Sequence, residues 1–127
     1  MNKAIANWIN SSGYDITTAE VMYHGRRYIY VIFMCHLAVE KMLKALVANK
    51  INKIPPKTHN LLYLVKLAEI EIPAPHKRII MHLNEASVPT RYPTDISKLS
   101  LQYNRKVAGE YLKKTKALLQ WLKETVP

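Results

Sequence analysis

The chain has 127 residues, a mass of 14.7 kDa and 49% hydrophobic residues, so a disordered tail is excluded and a single domain over 1–127 is predicted. Three Gly and seven Pro exclude a collagen-like or low-complexity chain. Nineteen basic residues against nine acidic ones give a formal net charge of +10, which suits an anionic partner: nucleic acid, nucleotide, acidic protein or an anionic membrane surface.

The spacing of apolar residues is helical from the start, and the dipeptides that mark β-hairpins are absent. The first predicted helix runs from Lys3 to His24, its inward face read as Ile5, Trp8, Ser12, Asp15, Ile16, Ala19, Met22 and Tyr23. Gly13 and the β-branched Ile16, Thr17 and Thr18 weaken it, so packing must hold it. Gly25 separates it from a second helix expected over Arg26 to about Lys50. That helix is apolar nearly all round from Tyr28 to Val39, the pattern of a central buried element. Its polar residues form one strip, Arg26, His36, Glu40 and Lys44, with Lys41 at the edge. The same run holds Cys35, the only cysteine, expected as a buried and inert thiol in a reducing compartment.

Pro55-Pro56 ends the second helix, and a third is expected from about Asn60 to Glu71 with Thr58 as its N-cap. Pro73-Ala74-Pro75 precedes a fourth over about His76 to Ala86. Val88 to Asp95 reads as a loop whose two prolines force extended backbone and fix Arg91 between them. The last helix is expected from near Leu101 to Thr125, with a core stripe of Ala108, Tyr111, Leu112, Thr115, Leu118, Leu119 and Leu122. Lys106, Lys113, Lys116 and Lys123 fall on its opposite face. The predicted fold class is all-α: an antiparallel up-and-down helical bundle of three long helices, about 33–38 Å each, plus a shorter helix pair. The longest apolar run, Tyr28 to Cys35, is far short of the ~20 residues of a spanning helix, and the N-terminus lacks a signal peptide's apolar stretch. A cytoplasmic location without membrane attachment is expected.

The charge excess sits in two stretches. Lys41 to Lys57 holds five lysines and no acid, and Lys98 to Pro127 holds seven bases against Glu110 and Glu124. The residues that look chemically chosen lie elsewhere. Asp15 shares a face with Trp8, Ala19 and Met22, where a carboxylate is costly unless paired. It either reaches water at the edge of that face, forms a buried ion pair, or serves a site. His36 and Glu40 lie one turn apart and read as a hydrogen-bonded seam more readily than as a metal site, because no second His stands at ligand spacing. Arg91 suits phosphate or carboxylate, which it grips bidentately, or it clips its loop to the bundle through Asp15 or Glu40. Tyr92 offers a stacking face and a hydroxyl. His59 stands where it can meet an anion at a helix start, although capping by Thr58 explains that segment more simply. His24, His76 and His82 have no companions in the pattern. Zinc, Walker, dinucleotide and nucleophile-elbow motifs are absent; no metal and no cofactor are expected.

Together these pieces resemble a known family. Trp8 through Asp15 to Ala19, Gly25 to Tyr28, the stretch Phe33-Met34-Cys35-His36-Leu37-Ala38-Val39-Glu40-Lys41-Met42-Leu43-Lys44-Ala45-Leu46, Thr58-His59-Asn60-Leu61 and Thr90-Arg91-Tyr92-Pro93 occur in order. The chain resembles the stand-alone HEPN domains (higher eukaryotes and prokaryotes nucleotide-binding). The resemblance implies a helical bundle that often forms a homodimer, nucleotide or RNA binding, and pairing with a minimal nucleotidyltransferase in a toxin–antitoxin arrangement. It also implies metal-independent RNase chemistry in those members that carry R-x4-6-H. Here no His follows Arg91 within that window, and Arg78 to His82 is one residue too short. His36 or His59 brought near in space would be a non-standard base. The alternative is an interaction subunit in which Asp15, His36 and Arg91 form a structural network.

Overall fold

The computed structural model describes residues 2–125. Six helices follow one another: α1 (Lys3–His24), α2 (Tyr28–Ile51), α3 (Leu61–Ala68), α4 (Ala74–Arg91), α5 (Ile96–Gln102) and α6 (Arg105–Thr125). No strand occurs among the described residues. The all-α bundle expected from the periodicity is what forms, with two short helices, α3 and α5, beside four longer ones.

α2 is the centre of the bundle and packs against each of the other five helices. Its apolar girth requires this: Val31, Ile32, Cys35, Ala38, Val39, Leu43 and Val47 are all fully buried. α1 runs back along α2, so Ile5 meets Ala45 and Ala48, and the Ser12 hydroxyl donates to the Ala38 carbonyl at 2.6 Å. α6 closes the other side with Ala108, Leu118 and Leu122, and α3 and α4 bring Leu61, Leu64, Ile80 and Leu83 into the same core. Truncating any of these leucines to Ala should cost about 2–5 kcal/mol. Cys35 is buried as expected, and burial pushes its thiol up to about 12, so it is unreactive near neutral pH.

Several boundaries differ from expectation, each for a local reason. α2 begins at Tyr28, two residues late, because α1 ends in a Schellman turn. The Arg27 N–H bonds to the Met22 carbonyl and the Arg26 N–H to the Tyr23 carbonyl. The left-handed residue of that turn is Arg26, at φ 60°, not Gly25. α3 is capped by Asn60, whose Oδ1 accepts from the Tyr63 N–H, while Thr58, two residues earlier, accepts from the Asn60 N–H. α3 ends at Ala68 because Glu69 takes φ 52°.

The largest correction concerns Arg91. α4 continues through Pro89 to Arg91, so Arg91 lies on a helix and not in an extended loop. Pro89 removes one backbone bond, but its neighbours Ala86 and Thr90 are buried, and the Thr90 hydroxyl donates to the Ala86 carbonyl at 2.7 Å. Packing outweighs the helix-breaking tendency there. The last predicted helix is divided in two: Asp95 caps α5, and the Asn104 side chain accepts from the Val107 N–H at the start of α6.

Candidate functional site

The site begins as a row on α2. Phe33, His36, Glu40 and Lys44 follow at spacings of three and four residues and so share one face. Opposite them lies the short stretch that leads into α3. Two asparagines hold that stretch: Asn60 caps α3, and Asn84 of α4 accepts from the Leu61 N–H at 2.8 Å. This fixing delivers His59 to α2.

Glu40 is the hub. Its carboxylate is buried, accepts from the Lys44 Nζ at 3.1 Å and from the His59 Nδ1 at 2.7 Å, and lies 3.9 Å from the His36 Nδ1. Lys44 is itself buried and lies 5.6 Å from the centre of the Trp8 ring. His59 donates Nδ1–H to Glu40, which leaves Nε2 free, and its side chain is 61% exposed. The Glu40–His59 pair therefore presents an oriented imidazole to solvent.

His36 has no exposure at all. Its Nε2 donates to the His59 carbonyl at 3.0 Å, so the neutral ring keeps its lone pair on Nδ1, an atom that has no hydrogen-bond partner. Burial pushes its pKa down to about 4, against the opposing pull of Glu40; the positive charge of Arg91 adds to the lowering. His36 is thus neutral near neutral pH.

Arg91 comes from the last turn of α4. Its guanidinium carbon lies 5.0 Å from the centre of the Phe33 ring. Its Nε and one terminal nitrogen are enclosed, yet neither has an acceptor. The clip to Asp15 or Glu40 does not form: no ion pair of Arg91 exists among the described residues. Tyr92 follows as the C-cap of α4 and is 72% exposed.

The six expected site residues therefore separate. His36, Glu40 and His59 converge, Arg91 approaches His36 over Phe33, and Tyr92 stands exposed beside it. Asp15 is buried elsewhere, on the α1–α2 seam, with Lys41 Nζ at 2.8 Å. Lys41 and Glu40 are neighbours in sequence but point about 100° apart around the helix. Phe33 opens the resembling stretch but is not among the expected site residues, although its place one turn before His36 marks it as part of the strip. Among the described residues no group of three or more His, Cys, Asp or Glu is placed to hold a metal ion.

The arrangement pairs an arginine of unfilled hydrogen-bonding capacity with a carboxylate-oriented histidine. A guanidinium of that kind suits a phosphate, and an oriented imidazole suits proton transfer.

The model of the HEPN domain family matches residues 5–125. The chain belongs to the HEPN family. Two solved structures share its fold. One is TT1696 from Thermus thermophilus, 23% identical, with a TM-score of 0.79 and 98% of each chain covered. The other is ST0689, an archaeal HEPN homologue, 22% identical, with a TM-score of 0.78, covering 99% of this chain and 100% of that one. At such identities these two structures speak to the HEPN fold alone. No curated protein matches the chain. No helix among the described residues is long and apolar enough to cross a membrane.

Proposed function

We propose that this HEPN protein binds a nucleotide or RNA through Arg91, in the cytoplasm, as a homodimer paired with a minimal nucleotidyltransferase. One observation carries the binding reading. Arg91 holds enclosed donors that no protein acceptor fills, beside a histidine kept neutral. Enclosed charged donors left unfilled are costly, and a phosphate supplies the missing oxygens. His59 and Tyr92 stand exposed in the same part of the molecule and offer a proton acceptor and a stacking ring. Fluorescence anisotropy with a labelled oligoribonucleotide, and competition by ATP, tests this. Arg91→Ala should weaken binding at least tenfold, the loss of about one charge-assisted hydrogen bond or more. Equal affinity of the variant and the wild type would overturn the reading. The affinity of the wild type should also fall steeply with salt.

The pairing rests on the family and on surface chemistry. Leu62 is exposed at a depression of about 310 Å³ that Val65, Ile70, Ile72 and Ile80 also line, with Glu71 and Lys77 among them, a mostly apolar recess that suits a protein partner. Co-purification with a nucleotidyltransferase and a dimer mass in analytical ultracentrifugation support the proposal; a partnerless monomer contradicts it.

The Glu40–His59 pair favours a second reading, metal-independent RNA cleavage with His59 as the base. RNA cleavage in EDTA, lost in both His59→Ala and Arg91→Ala, supports it. No cleavage between about pH 6 and 9 removes it.

A further inference from the structure

His76 and His82 have no companions in the sequence pattern, and the fold supplies them. Both lie on α4 and face α6. The His76 ring lies 5.8 Å from the Trp121 ring, and the His82 ring 6.5 Å from that of Tyr111. Between the two helices the surface dips into a cavity of about 380 Å³. His76, Arg78 and His82 line it from α4 and Lys114 from α6, with Ile79 and Ala117 among its apolar atoms.

Every ionisable group on this lining is a base. Among the described residues no carboxylate comes within ion-pair distance of any of the four. Of the protein's fourteen lysines four are paired, Lys41 with Asp15, Lys44 with Glu40, Lys50 with Glu69 and Lys116 with Glu20, so an unpaired base by itself is ordinary here. The α4–α6 cleft differs in that its bases converge on one recess. A guanidinium and an ammonium face one cavity from two helices, with two imidazoles at its walls and nothing negative between them. Such a field favours an anion, and like charges around a recess repel until one enters.

We propose that this cleft binds a multiply charged phosphate anion of pyrophosphate size or larger. A cavity of this volume falls within the range of small-ligand sites, about 300–1,000 Å³, and is roomy for a single orthophosphate. Arg78 grips two oxygens in a fork, Lys114 meets the charge from across the cleft, and the imidazole N–H groups supply further donors. The site is distinct from the Arg91 cluster, since Arg78 and Arg91 stand thirteen residues, roughly 20 Å, apart along α4.

The test is a titration with sodium pyrophosphate at fixed pH, read by the imidazole NMR signals of His76 and His82. Wild type should show saturable shifts of both. Arg91→Ala should show the same shifts with the same affinity, whatever becomes of nucleotide binding at its own site. The double variant Arg78→Ala/Lys114→Ala should need at least tenfold more pyrophosphate. Both side chains are exposed, so the variant should keep its fold, which circular dichroism checks. Three results would each overturn the proposal: no saturable shift in wild type up to about 10 mM, an unchanged affinity in the double variant, or shifts that sodium chloride of equal ionic strength reproduces.

Discussion

The two ends of α4 handle charge in opposite ways. At its C-terminal end the polar residues are joined to one another around a buried carboxylate: Glu40 holds Lys44 and His59, and the His59 carbonyl holds His36. Among the buried side-chain atoms there, only two nitrogens of Arg91 and one of His36 have no hydrogen-bond partner. At its N-terminal end, Arg78 and Lys114 share an open cleft with two histidines and no acid. Burial forces partners on charged groups, because the interior penalises a lone charge by several kcal/mol, whereas water tolerates four bases around one recess. An unfilled group therefore means more at the enclosed end than an unpaired one at the open end. Net charge alone does not separate the two. The +10 balance marks the surface that draws anions in, while Arg91 itself lies outside the two stretches that carry the excess.

Substitutions sharpen this contrast, and the largest effect belongs to the hub. Glu40→Ala leaves the buried Lys44 without a counter-charge and frees His59, so urea unfolding should show a loss of about 3–5 kcal/mol. A loss below about 1 kcal/mol would mean that the enclosed cluster is not held by its charges.

Acid should strike the same end. Folded His36 has a pKa near 4, below the 6.5 of an ordinary histidine, so the unfolded chain binds the extra proton between those values. This contribution to stability is whole above pH 6.5, drains as the pH falls, and is gone below about pH 4, a change on the order of 3 kcal/mol. In His36→Gln, unfolding followed from pH 7 to pH 4 should slope less steeply than in wild type; parallel slopes would contradict the assignment.

Asp15 is a smaller case. Asp15→Asn weakens one pair with the partly exposed Lys41, for about 1 kcal/mol. It should leave oligoribonucleotide affinity unchanged, since the pair lies on the α1–α2 seam. A loss of affinity would return Asp15 to the site. Arg91→Ala should move stability least, within about 1 kcal/mol by thermal unfolding, because the guanidinium has no acceptor to lose beyond its contact with Phe33.

Much of the fold is legible in the chain itself, and the reasons are local. The bounds of α1 coincide with those read from its periodicity, and the all-round apolar character of α2 announces its central place. The passage of α4 through Pro89 is not legible. Local preference stops a helix before proline, and only the burial of Ala86 and Thr90 carries it on to Arg91. The site divides in the same way. His36, Glu40 and Lys44 are visible as a strip because helical spacing aligns them. The meeting of Glu40 with His59, nineteen residues later, depends on how Asn60 and Asn84 pin the start of α3, which no periodicity encodes. Asp15 shows the limit of face arithmetic. Its burial is readable, but its partner is Lys41 and not the strip, because one residue of difference along α2 turns a side chain by about 100°.

The central claim is that Arg91 waits, enclosed and unfilled, for a phosphate. The most direct measurement is the Nε–H resonance of Arg91 in a nitrogen-15 NMR titration with ATP. The account predicts a saturable downfield shift of that proton as a phosphate oxygen becomes its acceptor, with the ring signals of His59 moving at the same ligand concentrations. An Arg91 Nε–H that stays in place while ATP binds elsewhere on the protein would contradict it.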